Sequence, residues 1–120
     1  MKFMVVDDSN VIRTIIQDAL KTRDFEIVGE AENGVEAVIQ FERHKPQVMT
    51  LDITMPLMDG IETIRKIMAI DPDVRILVIS ALSDKKTLLD AIKLGASGFL
   101  CKPFDRADLI EAVEELIEDL

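Results

Sequence analysis

The sequence contains no tryptophan and no tyrosine, so its five phenylalanines are its only aromatic residues. It therefore offers no obvious stacking platform for nucleic-acid bases or for a flavin ring. Cysteine and histidine occur once each, as Cys101 and His44. This rules out an internal disulfide and leaves His44 without the partners that a metal site needs. A lone cysteine fits a reducing compartment, and we expect His44 to be an ordinary surface residue.

Positive charge is also scarce in this chain. It carries 14 basic against 23 acidic residues, a formal net charge of −9, and such a field repels phosphate backbones and anionic lipid surfaces. We therefore expect no direct nucleic-acid binding. No apolar run approaches the roughly 20 residues of a membrane-spanning helix, and the first strand begins too close to Met1 for a signal peptide. The sequence indicates a cytoplasmic protein without membrane insertion.

Length and periodicity indicate a single domain over residues 1–120. The 120 residues, 48% hydrophobic and 31% charged, are typical of one globular domain with its own core. Short apolar runs alternate with segments of helical periodicity, at residues 3–6, 25–31, 48–51, 74–79 and 97–101 for the predicted strands. Five such β-α units predict a parallel sheet with helices on both faces, an α/β doubly wound fold.

The helices are predicted from capping residues, helix breakers and apolar spacing. Expected caps are Ser9–Asn10, Ser83–Asp84 and Asp105, expected ends are Pro46, Pro72 and Gly95, and Asn33-Gly34 is predicted as a turn. The apolar pattern of the first helix comprises Val11, Ile12, Ile15, Ile16, Ala19 and Leu20, and that of the fourth comprises Leu88, Leu89, Ile92 and Leu94. Apolar residues at this spacing indicate amphipathic helices.

Polar residues follow four of the five strands, at the point where each strand ends. Asp7 and Asp8 follow the first strand, Asp52 the third, Ser80 the fourth and Lys102 the fifth. The carboxyl ends of parallel strands lie at one edge of a sheet, where open α/β folds bind their ligands. If the first and third strands are neighbours, three carboxylates meet there, which is unfavourable unless a cation intervenes. Oxygen-only ligands suit Mg²⁺.

This set of groups has the chemistry of phosphoryl transfer. Mg²⁺ would hold a phosphoryl group against Asp52, whose carboxylate can form an acyl phosphate. The Lys102 ammonium and the Ser80 hydroxyl would contact the remaining oxygens. Taken singly, Asp8-Ser9 could be only a helix cap, Lys102-Pro103 only a turn and Ser80 only a strand end. Their joint placement after separate strands favours the functional interpretation.

The same residues resemble the response-regulator receiver family, and most closely its stand-alone chemotaxis members. The motifs are Val5-Val6-Asp7-Asp8-Ser9, the stretch from Leu51 to Gly60, Ser80-Ala81 and Lys102-Pro103-Phe104. The resemblance implies a flavodoxin-like sheet of order 2-1-3-4-5, with Asp52 accepting a phosphoryl group from a histidine kinase of the CheA type. It also implies that Asp8, Asp52 and the backbone carbonyl of Thr54 bind Mg²⁺ directly. Asp7 would act mainly through a water.

The resemblance further implies a conformational switch. In the family, phosphorylation draws the hydroxyl at the Ser80 position inward, and the aromatic residue three positions before the lysine, here Phe99, changes rotamer. The face formed by the fourth helix, fifth strand and fifth helix then binds an output partner, in chemotaxis a flagellar motor switch protein. The Lys102–Pro103 bond is expected to be cis. We expect a monomer that acts as a signalling protein and not as an enzyme with a separate substrate.

Several alternatives stay open on the residues alone. A receiver of another phosphorelay, or one cut from a longer response regulator, would carry the same motifs. A small aspartyl-phosphate phosphatase also uses a strand-ending aspartate, but it usually has a second acid two residues later, where this chain has Thr54. A flavodoxin-like electron carrier would have a loop rich in Ser, Thr and Gly in place of Asp7-Asp8. The last two are disfavoured by these residues.

Overall fold

A computed structural model describes residues 1–53, 60–81 and 85–118, and strands and helices alternate through these ranges. The strands are β1 (Lys2–Val6), β2 (Glu26–Ala31), β3 (Val48–Asp52), β4 (Arg75–Ala81) and β5 (Gly98–Lys102). The helices are α1 (Asn10–Lys21), α2 (Gly34–His44), α3 (Gly60–Ile70), α4 (Lys85–Lys93) and α5 (Arg106–Ile117). Every predicted strand and helix is present, with small shifts at the ends.

The strands form one parallel sheet in the order β2-β1-β3-β4-β5, which confirms the predicted doubly wound α/β fold. β1 and β3 are direct neighbours, with Val6 opposite Leu51. β3 pairs in turn with β4, where Asp52 lies opposite Ile79. β4 pairs with β5, the last strand on that side. Because all the strands run the same way, their carboxyl ends meet at one edge of the sheet.

Two hydrophobic layers fill the space between the sheet and its helices. Successive side chains of a strand point to opposite faces. Met4 and Met49 therefore belong to the layer under α2, α3 and α4, whereas Phe3 and Val48 belong to the layer under α1 and α5. β1 and β3 are buried almost throughout, while the more polar β2 is only partly buried at the sheet edge. The two strands that lead to the acidic residues are thus fixed from both sides.

Helix starts agree with the sequence at two sites and differ at a third. Ser9 caps α1 with its hydroxyl, and Asp105 caps α5 in a reciprocal capping box. The prediction of a turn at Asn33-Gly34 is wrong, because Asn33 caps α2 and Gly34 is the first residue of that helix. The Oδ1 of Asn33 accepts a hydrogen bond from the N–H of Glu36 at 2.8 Å. Asparagine side chains bond the backbone in turns and in helix caps alike, so the residue type does not separate the two.

α1 and α4 leave part of their apolar surface exposed. Val11 and Ile15 in α1 are exposed, as are Leu89 and Ile92 in α4. Among its residues, α4 fully buries Ala91 alone. The helical pattern gives the direction of the apolar face but not the width of the stripe that meets the sheet. Both helices therefore keep apolar side chains in contact with solvent.

The end of α4 agrees with the prediction, whereas some other predicted features lie outside the described residues. Gly95 follows α4 with a φ of +118°, in the left-handed region that favours glycine. The predicted cap at Ser83–Asp84 and the terminal residues Asp119 and Leu120 lie outside the described residues. None of the described helices has the length and hydrophobicity needed to span a membrane.

Candidate functional site

The predicted site residues gather at the carboxyl edge of the sheet. Asp7 directly follows β1, Asp52 is the last residue of β3, and Lys102 is the last residue of β5. Ser80 lies one residue before the end of β4, and Asp8 continues the loop that begins at Asp7. Because β1, β3, β4 and β5 are consecutive in the sheet, these side chains project from adjacent strand ends. The predicted grouping is therefore present in the fold.

The three carboxylates form a tight cluster. One oxygen from each of Asp7, Asp8 and Asp52 lies within 4.8 Å of the others. Asp7 is 0% exposed and Asp52 is 1% exposed, whereas Asp8 is exposed to solvent. Like charges at this separation, two of them removed from water, repel one another strongly. The cluster requires positive charge, either from the chain or from a bound cation.

Lys102 supplies one positive charge to the cluster. Its Nζ lies 3.3 Å from Oδ2 of Asp52, to which it donates a hydrogen bond. The same Nζ lies 3.4 Å from Oδ2 of Asp7. The lysine side chain is 30% exposed, so it extends from the protein surface to the two buried carboxylates. One ammonium thus bridges the ends of β1 and β3.

Burial and mutual charge shift two pKa values in this cluster. Burial raises the pKa of Asp7 and the N–H of Ser9 opposes that shift. Asp52 raises the pKa of Asp7 further and Lys102 lowers it, and the net result is a raised pKa. Burial lowers the pKa of Lys102, but the carboxylates of Asp52 and Asp7 outweigh this effect and the net pKa is raised. Lys102 is therefore held as the ammonium, while the negative charge of Asp7 is unfavourable.

Asp7 has one carboxylate oxygen that is hydrogen-bonded and one that is not. Its Oδ1 accepts a hydrogen bond from the N–H of Ser9 at 2.9 Å. Its Oδ2 is buried and accepts no hydrogen bond from any described residue; the 3.4 Å approach of Lys102 is an ion pair without hydrogen-bond geometry. A buried oxygen of this kind is costly unless a further ligand binds it. With oxygens of Asp8 and Asp52, it offers the hard, all-oxygen donor set that Mg²⁺ prefers.

Ser80 and Phe99 lie on the β4–β5 side of the site. Ser80 is 1% exposed, and its Oγ donates to the backbone carbonyl of Ala81 at 3.2 Å. This is a local bond, which rotation about one side-chain torsion would release. Phe99 is 52% exposed and lines a groove of about 330 Å³ between α4 and β5, beside Leu89 and Ile92. A buried hydroxyl and an exposed ring therefore stand at the two predicted switch positions.

The loops beside the site are described only in part. The Lys102–Pro103 peptide bond is cis, as expected. Ile12, Ile15 and Phe104 line a groove of about 370 Å³ that reaches Lys102. Thr54, the predicted backbone ligand, lies outside the described residues, as does the rest of the stretch 54–59.

Arg13 belongs to the site but was not singled out by the sequence analysis. It stands in α1 at the spacing of the buried residues Ile16 and Leu20, and it is 8% exposed. Its Nη1 donates a hydrogen bond to the backbone carbonyl of Asp7 at 2.6 Å. The sequence did contain a feature that could have indicated its role, since Arg13 is an arginine within the apolar stripe of a helix. A cation buried in this way requires a partner.

Known proteins are similar to this chain in sequence and in fold. Residues 3–114 match the family model described as the response regulator receiver domain. The chain is 46% identical over 115 residues to the chemotaxis protein CheY of Listeria monocytogenes, covering 96% of this chain and 97% of that protein. It is 40% identical over 116 residues to CheY of Bacillus subtilis, covering 97% of each. The structure is similar to a chain of the CheX-CheY-BeF₃-Mg²⁺ complex from Borrelia burgdorferi, with a TM-score of 0.91 and 36% identity over 97% of this chain and 88% of that one.

Proposed function

Because this chain belongs to the response regulator receiver family, we propose that it is a phosphorylation-controlled switch with Asp52 as its phosphoacceptor. The observation that carries the proposal is the setting of the Asp52 carboxylate. It ends a central strand at 1% exposure, 3.3 Å from Nζ of Lys102 and clustered with two further acids. A carboxylate that must accept an anionic group needs positive charge close by, and this site is arranged to provide it.

Phosphorylation of Asp52 forms an acyl phosphate. One carboxylate oxygen attacks the phosphorus of a phosphohistidine on the kinase, so a P–O bond forms while the P–N bond breaks. The electron pair of the P–N bond stays on the imidazole nitrogen, which takes up a proton. The ammonium of Lys102, already 3.3 Å from the carboxylate, then pairs with a phosphoryl oxygen. Hydrolysis later restores the carboxylate, so the chain signals without turning over a separate substrate.

Asp7, Asp8 and Asp52 are the residues that would hold Mg²⁺. The metal supplies positive charge to the phosphoryl oxygens and offsets the repulsion among the acids. Asp7 contributes the Oδ2 that accepts no hydrogen bond from the described part of the chain, acting by way of a water. Asp8 is exposed and open to direct ligation. We assign the remaining protein ligand to the backbone carbonyl of Thr54.

Ser80 and Phe99 would convert phosphorylation into a change of surface. The Ser80 hydroxyl can leave the carbonyl of Ala81, 3.2 Å away, and donate to a phosphoryl oxygen on Asp52. Because that bond exists only in the phosphorylated form, it shifts the population of β4–β5 conformers. Phe99, now 52% exposed, would turn inward and reshape the face made by α4, β5 and α5. That face would bind the output partner.

Chemotaxis is the proposed setting, since relatives from Listeria and Bacillus are CheY proteins. A histidine kinase of the CheA type is then the phosphodonor, and a flagellar motor switch protein is the output partner of a cytoplasmic monomer. The BeF₃ and Mg²⁺ in the Borrelia burgdorferi complex support a phosphoryl site beside a magnesium site.

A role in another phosphorelay, or within a longer regulator, is the alternative. Phosphotransfer rates from a panel of purified kinases would separate chemotaxis from another phosphorelay.

Mass spectrometry of the intact chain tests the phosphoacceptor. With acetyl phosphate and MgCl₂ we expect one added phosphoryl group, and none when EDTA removes the metal. Asp52→Asn should abolish the gain, because an amide is a far weaker nucleophile than a carboxylate. The matched control is Asp73→Asn, an exposed acid in the loop before β4, which should be phosphorylated like the wild type. An unchanged gain in Asp52→Asn would refute the assignment.

A further inference from the structure

Arg13 connects the acidic loop to the edge strand of the sheet. It is 8% exposed, and its three nitrogen atoms reach three different segments. Nη1 donates to the backbone carbonyl of Asp7 at 2.6 Å, and Nη2 donates to Oδ1 of Asn10 at 3.1 Å. Nε lies 3.5 Å from Oε1 of Glu30 in β2, an ion pair without hydrogen-bond geometry. The planar fork of a guanidinium can make such divergent contacts, and an ammonium cannot.

Asp7 is held through its backbone as well as through its side chain. Its N–H donates to the carbonyl of Ala31 in β2 at 3.0 Å, and its own carbonyl accepts the hydrogen bond from Arg13. That carbonyl belongs to the peptide that joins Asp7 to Asp8. The orientation of this peptide sets the directions in which both carboxylates point. Arg13 donates a hydrogen bond to the backbone of Asp7, and its recorded hydrogen bonds and ion pair involve neither the Asp7 nor the Asp8 carboxylate.

We propose that Arg13 is a positioning residue for divalent-cation binding, because it fixes the Asp7–Asp8 peptide so that both carboxylates face the cation. The proposal rests on the magnesium site proposed above for Asp7, Asp8 and Asp52. Groups that orient metal ligands from behind typically change metal affinity by about 10–100-fold when they are removed. Without the guanidinium, the buried carbonyl of Asp7 loses its partner, and the peptide gains freedom to rotate.

The sign of the effect separates positioning from charge. Arg13 is a cation near a cluster of carboxylates, so by charge alone its removal would make the site more negative and Mg²⁺ binding tighter. Loss of positioning weakens binding. The two explanations therefore predict opposite changes for Arg13→Met. For Arg13→Lys, which keeps the charge but not the fork, charge alone predicts no change and positioning predicts weaker binding.

NMR titration of the unphosphorylated chain with MgCl₂ measures this affinity. Amide signals of the loop between β1 and α1 report binding, and the dispersion of the whole spectrum shows that each variant is folded. We expect the dissociation constant to rise about tenfold in Arg13→Met and by a similar factor in Arg13→Lys. Arg23→Met is the matched control, because Arg23 pairs with Glu114 at 3.3 Å beyond the far end of α1. Its affinity for Mg²⁺ should equal that of the wild type.

The possible outcomes are distinct. Weaker binding in both Arg13 variants, with wild-type affinity in Arg23→Met, supports the positioning role. Unchanged or tighter binding in Arg13→Met, or full affinity in Arg13→Lys, overturns it. If Arg13→Met fails to fold, Arg13→Lys decides alone. If the wild-type chain binds no Mg²⁺, both the proposed metal site and this inference are overturned. If the wild type and both Arg13 variants bind Mg²⁺ with equal affinity, only the inference is overturned.

Discussion

The two halves of the site are built differently. The acidic half, which comprises Asp7, Asp8 and Asp52, stands at the ends of two strands that are buried on both faces. Asp7 there is held by three hydrogen bonds, one that its N–H donates and two that its carbonyl and one carboxylate oxygen accept. The switch half, which comprises the proposed switch residues Ser80 and Phe99, has one 3.2 Å hydrogen bond to an adjacent carbonyl and one ring that is 52% exposed.

This difference matches the two tasks of a phosphorylation switch. Catalytic and metal-binding groups work best when they are fixed in advance, so that no freedom is lost as the reacting group binds. A segment that changes conformation on phosphorylation must instead respond to a single new hydrogen bond. This is feasible only where few interactions stabilise its unphosphorylated conformation. Lys102 belongs to both halves, because it ends β5 and pairs with Asp7 and Asp52.

Lys102→Met removes the residue that joins the halves, and we expect it to have the largest effect. Without the ammonium, Asp7 and Asp52 lose their counter-charge. Breaking a fully buried pair costs about 3–5 kcal/mol. Since the lysine side chain is 30% exposed, we expect the free energy of unfolding to fall by about 2 kcal/mol. Urea titration in EDTA, followed by circular dichroism, measures this change, and Lys66→Met on the exposed face of α3 is the control.

The same variant should separate the two halves in function. In MgCl₂ the metal replaces part of the missing charge, so the stability gap should narrow. Acetyl phosphate should still add a phosphoryl group, but the backbone amide signal of Phe99 should no longer move on phosphorylation. A Lys102→Met chain in which that signal moves as in the wild type would show that the halves communicate without the lysine.

The acidic half and the strand-end position of Ser80 could be predicted from the residues, whereas the role of Phe99 could not. Asp7 and Asp52 each end an apolar run, and the ends of parallel strands lie at one edge of a sheet. Pattern therefore places both residues at that edge, and the strand order implied by the family resemblance makes them neighbours. Phe99 reads as an ordinary strand residue, and its switch role came from family resemblance and stays a prediction. Arg13 was missed because its partner is a backbone carbonyl, which has no identity in the sequence. Asn33 was assigned to a turn because its side chain serves turns and caps equally.

The exposed apolar residues of α1 and α4 show a second limit of sequence patterns. Val11 and Ile15 belong to the helical apolar pattern of α1, and Leu89 and Ile92 belong to that of α4, yet all four are exposed. Periodicity gives the apolar direction of a helix, whereas the area of contact depends on how far the sheet extends beneath it. α4 contacts α3 and β4, and β4 is followed in the sheet by β5 alone, so less of its surface is covered. Ile15 lines the groove at Lys102, and Leu89 and Ile92 line the groove at Phe99.

Asp7→Asn tests whether the acidic half is strained without its cation. The amide removes the repulsion with Asp52 and the burial of charge that raise the pKa of Asp7, while the loss of the Lys102 pair partly offsets this gain. We expect the free energy of unfolding in EDTA to rise by about 1 kcal/mol, within the range for relieving a strained functional site. Added MgCl₂ should stabilise the wild type more than the variant. Asp73→Asn is the control and should leave the free energy of unfolding unchanged. If Asp7→Asn were less stable than the wild type, the ion pair with Lys102 would already outweigh the repulsion between Asp7 and Asp52.

Ser80→Ala should have the smallest effect on stability and still silence the switch half. The hydroxyl makes one local bond to the carbonyl of Ala81, so its loss should change the free energy of unfolding by no more than about 0.5–1 kcal/mol. Phosphorylation of Asp52 should proceed, but without a donor for the phosphoryl oxygen the amide signal of Phe99 should move less than in the wild type or in Ser80→Thr, which keeps the hydroxyl. If the Phe99 signal moved as far in Ser80→Ala as in the wild type, the acidic half would act on the switch half through Lys102 alone. Ser80 would then be only a strand residue.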